Sequence, residues 1–145
     1  MAKLNLHKIK HELNKLFTKR YGLDDFNFEY EDNKLRATNS LTVKGYKGDV
    51  YVLVTCYEYG EGSVEFIFDK LEGSQTVNTL LAEFNKNHYW FGAFIGANGF
   101  LELRYSMARI TNTDDFLGNI DFAFSKLVSD DTQQIFGGLT QLTHE

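Results

Sequence analysis

The chain has no proline, a single cysteine, a single tryptophan and no long apolar run. Each shortage excludes something. Without proline there are no polyproline-II linkers, no Pro-rich ligand segments and no X-Pro cis bonds to slow folding. With Cys56 alone no intramolecular disulfide can form, so packing must hold the fold. No Asn-x-Ser/Thr glycosylation acceptor occurs. The N-terminal segment is charged throughout and lacks the apolar region of a signal peptide. No stretch approaches the roughly 18 apolar residues of a membrane span. These absences point to a soluble, cytoplasmic protein of a reducing compartment, with no membrane partner. The nucleophile-elbow, P-loop and dinucleotide-binding patterns are missing too.

What is present is ordinary for a globular chain: 145 residues, 43% hydrophobic and 24% charged. A chain of this length buries roughly 70% of its unfolded surface as one domain, and no linker or repeat divides it. Aromatic residues are plentiful, with 13 Phe and 8 Tyr. The net charge of −5 is unevenly spread. Residues 1–20 carry six basic side chains against Glu12 alone, a net of +5, and the remainder nets −10. The basic segment is either a binding arm or the solvated face of a helix. The acidic remainder repels nucleic acid and anionic lipid, so direct nucleic-acid binding is not expected.

Periodicity supplies the elements. Leu6, Ile9, Leu13, Leu16 and Phe17 form one apolar helical stripe, and Gly22 is a natural stop. Phe26, Phe28 and Tyr30 alternate with polar residues, Asp32-Asn33 turns the chain, and a second strand starts at Leu35. A third strand over Val50–Tyr59 is apolar on both parities: Val50, Val52, Val54 and Cys56 on one, Tyr51, Leu53, Tyr57 and Tyr59 on the other. Such a strand is expected to be central and covered on both sides. Val64, Phe66 and Phe68 mark a fourth strand. Thr76 is the expected cap of a helix through Val77, Leu80, Leu81 and Phe84, ending near Asn87. Asn98-Gly99 centres a hairpin whose second strand alternates Leu101, Leu103, Tyr105 and Met107 with Glu102, Arg104 and Ser106. Thr113 is the expected cap of a helix carrying Phe116, Ile120, Ala123, Phe124 and Leu127 to about Ser129. Asp130-Asp131 starts a short last helix that Gly137-Gly138 should end, with the final seven residues frayed. Strand runs joined by short turns imply an α+β fold, with a single antiparallel sheet and the helices mainly on one face. The order is α-β-β-β(β)-α-β-β-α.

That order resembles the type III secretion chaperone-like superfamily, which includes the YbjN-like proteins. The local likeness lies in Thr79-Leu80-Leu81-Ala82-Glu83-Phe84-Asn85-Lys86, then Trp90-Phe91-Gly92, then Asn98-Gly99-Phe100-Leu101-Glu102-Leu103. The resemblance implies a non-enzymatic, protein-binding role, often as a homodimer. It brings no catalytic residue.

Candidate chemistry is sparse. His7 and His11 have the i, i+4 spacing of a metal clamp, but a third ligand would have to come from His88 or His144, so a solvated pair is expected. Cys56 shares the parity of the valines and reads as a buried, inert thiol. Asp24-Asp25, Asp114-Asp115 and Asp130-Asp131 fall at turns and helix starts, where capping explains them. The Tyr-rich strand has no Lys or Arg between Val50 and Tyr59, which argues against base stacking on a nucleic acid. No catalytic residue, metal or cofactor is expected. The residues expected to bind a partner or a second copy are Tyr51, Leu53, Tyr57, Tyr59, Tyr89 and Trp90. The alternative is a small acidic inhibitor from a phage or mobile element, its carboxylates imitating a phosphate backbone to block a nucleic-acid-binding host defence protein.

Overall fold

The computed structural model describes residues 3–88 and 90–142. In chain order the elements are α1 (Leu6–Tyr21), β1 (Asn27–Glu31), β2 (Lys34–Thr42), β3 (Asp49–Tyr57), β4 (Gly62–Lys70), α2 (Gln75–Asn87), β5 (Gly92–Ile95), β6 (Phe100–Met107), α3 (Thr113–Leu127) and α4 (Asp130–Gln141). The fold is α+β, with one antiparallel sheet in the order β1-β2-β3-β4-β6-β5. The first four strands form a meander. α2 then carries the chain past β4 to the far edge, so β5 lies outermost and β6 returns between them.

Local chemistry sets the helix ends. Asn5 caps α1 by accepting the Lys8 N–H at 3.1 Å. At the other end Gly22 sits at φ +65°, where Leu23 N–H reaches Phe17 O at 2.9 Å. Three expected caps move. Ser74, not Thr76, accepts the Val77 N–H; Asn112, not Thr113, accepts the Asp115 N–H; and Ser129, not Asp130-Asp131, accepts the Thr132 N–H. In each case a neighbouring short side chain with an oxygen reaches the orphan donor, and the entry path of the chain selects between them. The acidic pairs keep their places in the first turns of α3 and α4.

The C-terminal expectation is also corrected. Gly137-Gly138 does not end α4, which runs on to Gln141. Gly137 is instead a close approach: an added Cβ would lie 2.7 Å from the Gly45 carbonyl oxygen. Leu139 and Thr140 are buried, and the Thr140 hydroxyl accepts the Lys47 N–H at 3.1 Å. Of the seven residues expected to fray, Leu139 and Thr140 are therefore packed, Leu142 is half-buried against the core, Gln141 is helical but exposed, and 143–145 lie outside the described residues.

One face of the sheet makes the core. Val50, Val52, Val54 and Cys56 of β3, Val64, Phe66 and Phe68 of β4, and Leu101 and Leu103 of β6 are all buried on it. Against them pack Ile9, Leu13 and Phe17 of α1, Phe84 of α2, Phe116, Ile120 and Phe124 of α3, and Phe136 of α4. Phe66 meets Phe124 edge-on at 5.4 Å, and Phe17 stacks on Phe26 at 3.9 Å. Burying each such side chain contributes about 1.5–3 kcal/mol.

β3 is central, as expected, but it is covered on one side only. The expectation of two covered faces fails because all the helices direct their apolar stripes to the same parity. Tyr59 leaves the strand altogether. β3 ends at Tyr57, and Tyr59 stands in the turn before Gly60. That turn is pinned, since Gly60 has φ +92° and an added Cβ would lie 2.2 Å from Ile110 O.

Candidate functional site

The uncovered face can be read from the strand registers. One row across it runs Glu29, Arg36, Thr55, Ser63 and Ser106. The next runs Asn27, Thr38, Leu53, Glu65, Arg104 and Gly92. A third runs Ser40, Tyr51, Ile67, Glu102 and Phe94. Lys34 and Tyr57 pair at one end. The centre is thus Tyr51, Leu53, Tyr57 and Ile67, with Phe94 towards the β5 edge. Tyr51 is 43% exposed, high for a large ring on a central strand.

Ionic side chains rim this centre. Arg104 places two nitrogens on one Glu65 oxygen, at 2.7 and 3.2 Å, and holds its guanidinium 5.1 Å from the Phe94 ring. Glu31 meets Arg36 at 3.1 Å and Lys34 at 3.5 Å, and Lys34 lies over Tyr57 at 5.6 Å. Hydrogen bonding to Arg36 holds the Glu31 carboxyl below its usual range. Glu102 shifts upward, through burial first and the Glu65 charge second.

The expected partner residues therefore divide. Tyr51, Leu53 and Tyr57 share the open face. Tyr59 is 48% exposed in its turn at the sheet end, with the Lys3 ammonium 5.4 Å over its ring. Trp90 is elsewhere: its ring is edge-on to His88 at 5.3 Å and lies under Lys126 of α3 at 4.6 Å. Tyr89 falls outside the described residues. Ile67, Phe94 and Arg104 belong to the open face but were not picked out from the sequence, because only cross-strand register brings them beside Tyr51 and Leu53.

Trp90 lines a cleft of about 740 Å³ with Phe91, Gly92, Arg104, Tyr105, Ser106, Gly118, Asn119 and Phe122. Phe122 is 38% exposed. It falls outside the buried stripe of α3, and an aromatic off the stripe was the available sequence signal.

The remaining candidates stay apart. The Cys56 thiol is wholly buried, and burial pushes its pKa up to about 12, so it is protonated at neutral pH. His7 packs on Tyr30 at 4.6 Å and is exposed, as is His11. His88 is buried at the end of α2, stacked on Phe84 at 4.3 Å, with Nδ1 3.1 Å from Phe84 O. His144 lies outside the described residues. Among the described residues no three His, Cys, Asp or Glu side chains are grouped to hold a metal. Nor is any helix among them long and apolar enough to cross a membrane. No protein-family model, curated protein or solved structure matches this chain.

Proposed function

We propose that this protein is a non-enzymatic, chaperone-like binding module that docks a second copy of itself or a partner protein on the open sheet face. The observation that carries the reading is the exposed centre of that face. Tyr51 is exposed and Leu53, Tyr57 and Ile67 are half-buried on central strands; among the described residues no helix packs on this face, and only the Lys34 side chain reaches over Tyr57. An antiparallel sheet with one solvated face normally presents polar side chains there. Apolar and aromatic side chains inside a charged rim are instead the layout of a protein interface. The open face also carries both signs of charge, as a self-complementary two-fold contact needs. The sequence resemblance to secretion chaperone-like proteins motivates the same reading.

Against the phosphate-mimic reading stand the places of the carboxylates. Glu31, Glu58, Glu65 and Asp121 are engaged in ion pairs, and Asp114, Asp115, Asp130 and Asp131 occupy first turns of helices.

Size-exclusion chromatography with light scattering tests the proposal on wild type and on Leu53→Asp, with circular dichroism as the folding control. A dimer, or a stable complex with a protein purified from the host, that Leu53→Asp dissolves is the expected result. A wild-type monomer at every micromolar concentration, with partners unaffected by Leu53→Asp, overturns it.

A further inference from the structure

The Trp90 cleft lies at the β5–β6 edge, where Gly92, Arg104 and Ser106 border the open face, and it is built differently from the Tyr51–Tyr57 centre. Its floor is an interrupted sheet edge. β5 covers β6 only from Leu101 to Arg104. The hairpin-closing hydrogen bond, Gly96 N–H to Phe100 O at 2.9 Å, sets the alternation. Phe100, Glu102 and Arg104 therefore point their backbone groups towards β5. Ser106 is next in that series, and among the described residues no strand lies opposite it.

Aromatic residues line the space, with Trp90, Tyr105 and Phe122 at the cleft and the Phe91 ring buried against Phe66. Asn119 is held in place, accepting from the Tyr105 hydroxyl at 2.6 Å and donating to Asp115 O at 2.8 Å. Two glycines widen the space. Gly92 and Gly118 both have ordinary backbone angles, and an added Cβ on either would meet nothing within 4 Å. Neither is needed for a turn or for internal packing, and Gly118 interrupts a helix where alanine is more stable. Glycine at such places allows close approach by something outside the chain.

The charge is also placed. The Lys126 ammonium lies 4.6 Å over Trp90 and 5.5 Å over Phe122. Among the described residues no carboxylate pairs with it. It keeps other cations off these rings and attracts an anion. The other cation at the cleft, Arg104 of its lining, is already paired with Glu65 at 2.7 Å.

We infer that this cleft binds a planar aromatic molecule bearing an anionic group, its ring among Trp90, Tyr105 and Phe122 and its anion towards Lys126. The anion can be a carboxylate or a phosphate, and the probes separate the two.

Trp90 is the only tryptophan in the chain, so its fluorescence reports on the cleft directly. The full chain is titrated with anilinonaphthalene sulfonate, with buffer alone as reference, followed by competition with benzoate, AMP or neutral adenosine. Saturable change in Trp90 emission is expected, with AMP or benzoate competing and adenosine competing less. Gly118→Leu, which fills the cleft, should weaken binding about tenfold or more, equivalent to about 1.4 kcal/mol. Lys126→Met should erase the preference for charged over neutral competitors. If Gly118→Leu does not fold, Phe122→Ser replaces it. No saturable change with any probe overturns the inference. So does wild-type affinity in the folded cleft variant, an unchanged charge preference in Lys126→Met, or loss of the signal in Leu53→Asp, which would place the probe on the open face.

Discussion

Along β3, Val50, Val52, Val54 and Cys56 turn towards the helices and are at most 1% exposed, whereas Tyr51 turns away at 43%. The two sets interleave in one strand, and both are largely apolar. Composition does not separate them; parity and the helices do. The same contrast crosses the sheet, with Phe66 sealed under Phe124 and Ile67, its neighbour in sequence, beside Tyr51 on the open face. The comparison teaches that most of this sheet's apolar residues support the fold, and that a smaller set, Tyr51, Leu53, Tyr57, Ile67 and Phe94, lies on the face that the helices leave open.

The largest test of that contrast is a pair of adjacent truncations. Phe66→Ala should cost about 3–5 kcal/mol, by loss of burial and creation of a cavity. Ile67→Ala should cost about 1 kcal/mol or less, because it empties no cavity. Urea unfolding of both measures the difference, and equal losses would break the distinction between the faces.

Cys56 sharpens it from the covered side. With the thiol pushed up to about 12 by burial, folded protein should react with a thiol reagent at pH 8 at least about a hundredfold more slowly than urea-unfolded protein. A fast native reaction would show that the covered face opens readily.

The smallest effect belongs to Glu102 on the open face. Its carboxyl is raised in the folded state, so its favourable contribution is present at low pH and is lost as pH rises through the raised value. Glu102→Gln should therefore match wild type in acid and gain a few tenths of a kcal/mol at neutral pH, after allowance for solvent screening. Thermal melts across pH check this. A loss at neutral pH would mean that the charged carboxylate is supported on that face.

Much of the fold was legible because it is local. The Leu6–Phe17 stripe, the period-2 strands and the Asn98-Gly99 turn each state their structure within a few residues. The caps were legible only to within a residue or two, since Asn112 and Thr113 offer similar oxygens side by side. Gly137 was misread because a glycine that stops a helix and one that lets a carbonyl approach look alike until Gly45 is placed against it. The candidate site was half legible. Tyr51, Leu53 and Tyr57 were found by strand parity, but Ile67 and Phe94 join them only through register, and Trp90 proved to belong to a different surface.

The sequence by itself determined the elements, the residues sharing each face, the inert setting of Cys56 and the segregation of charge, because these follow from spacing and side-chain type. The tertiary structure alone decided that the Tyr51 parity of β3 is left uncovered, that β6 enters between β4 and β5, and that Trp90, Gly118 and Phe122 line one cleft. Those outcomes depend on contacts between residues far apart in the chain, whose energies no local pattern records.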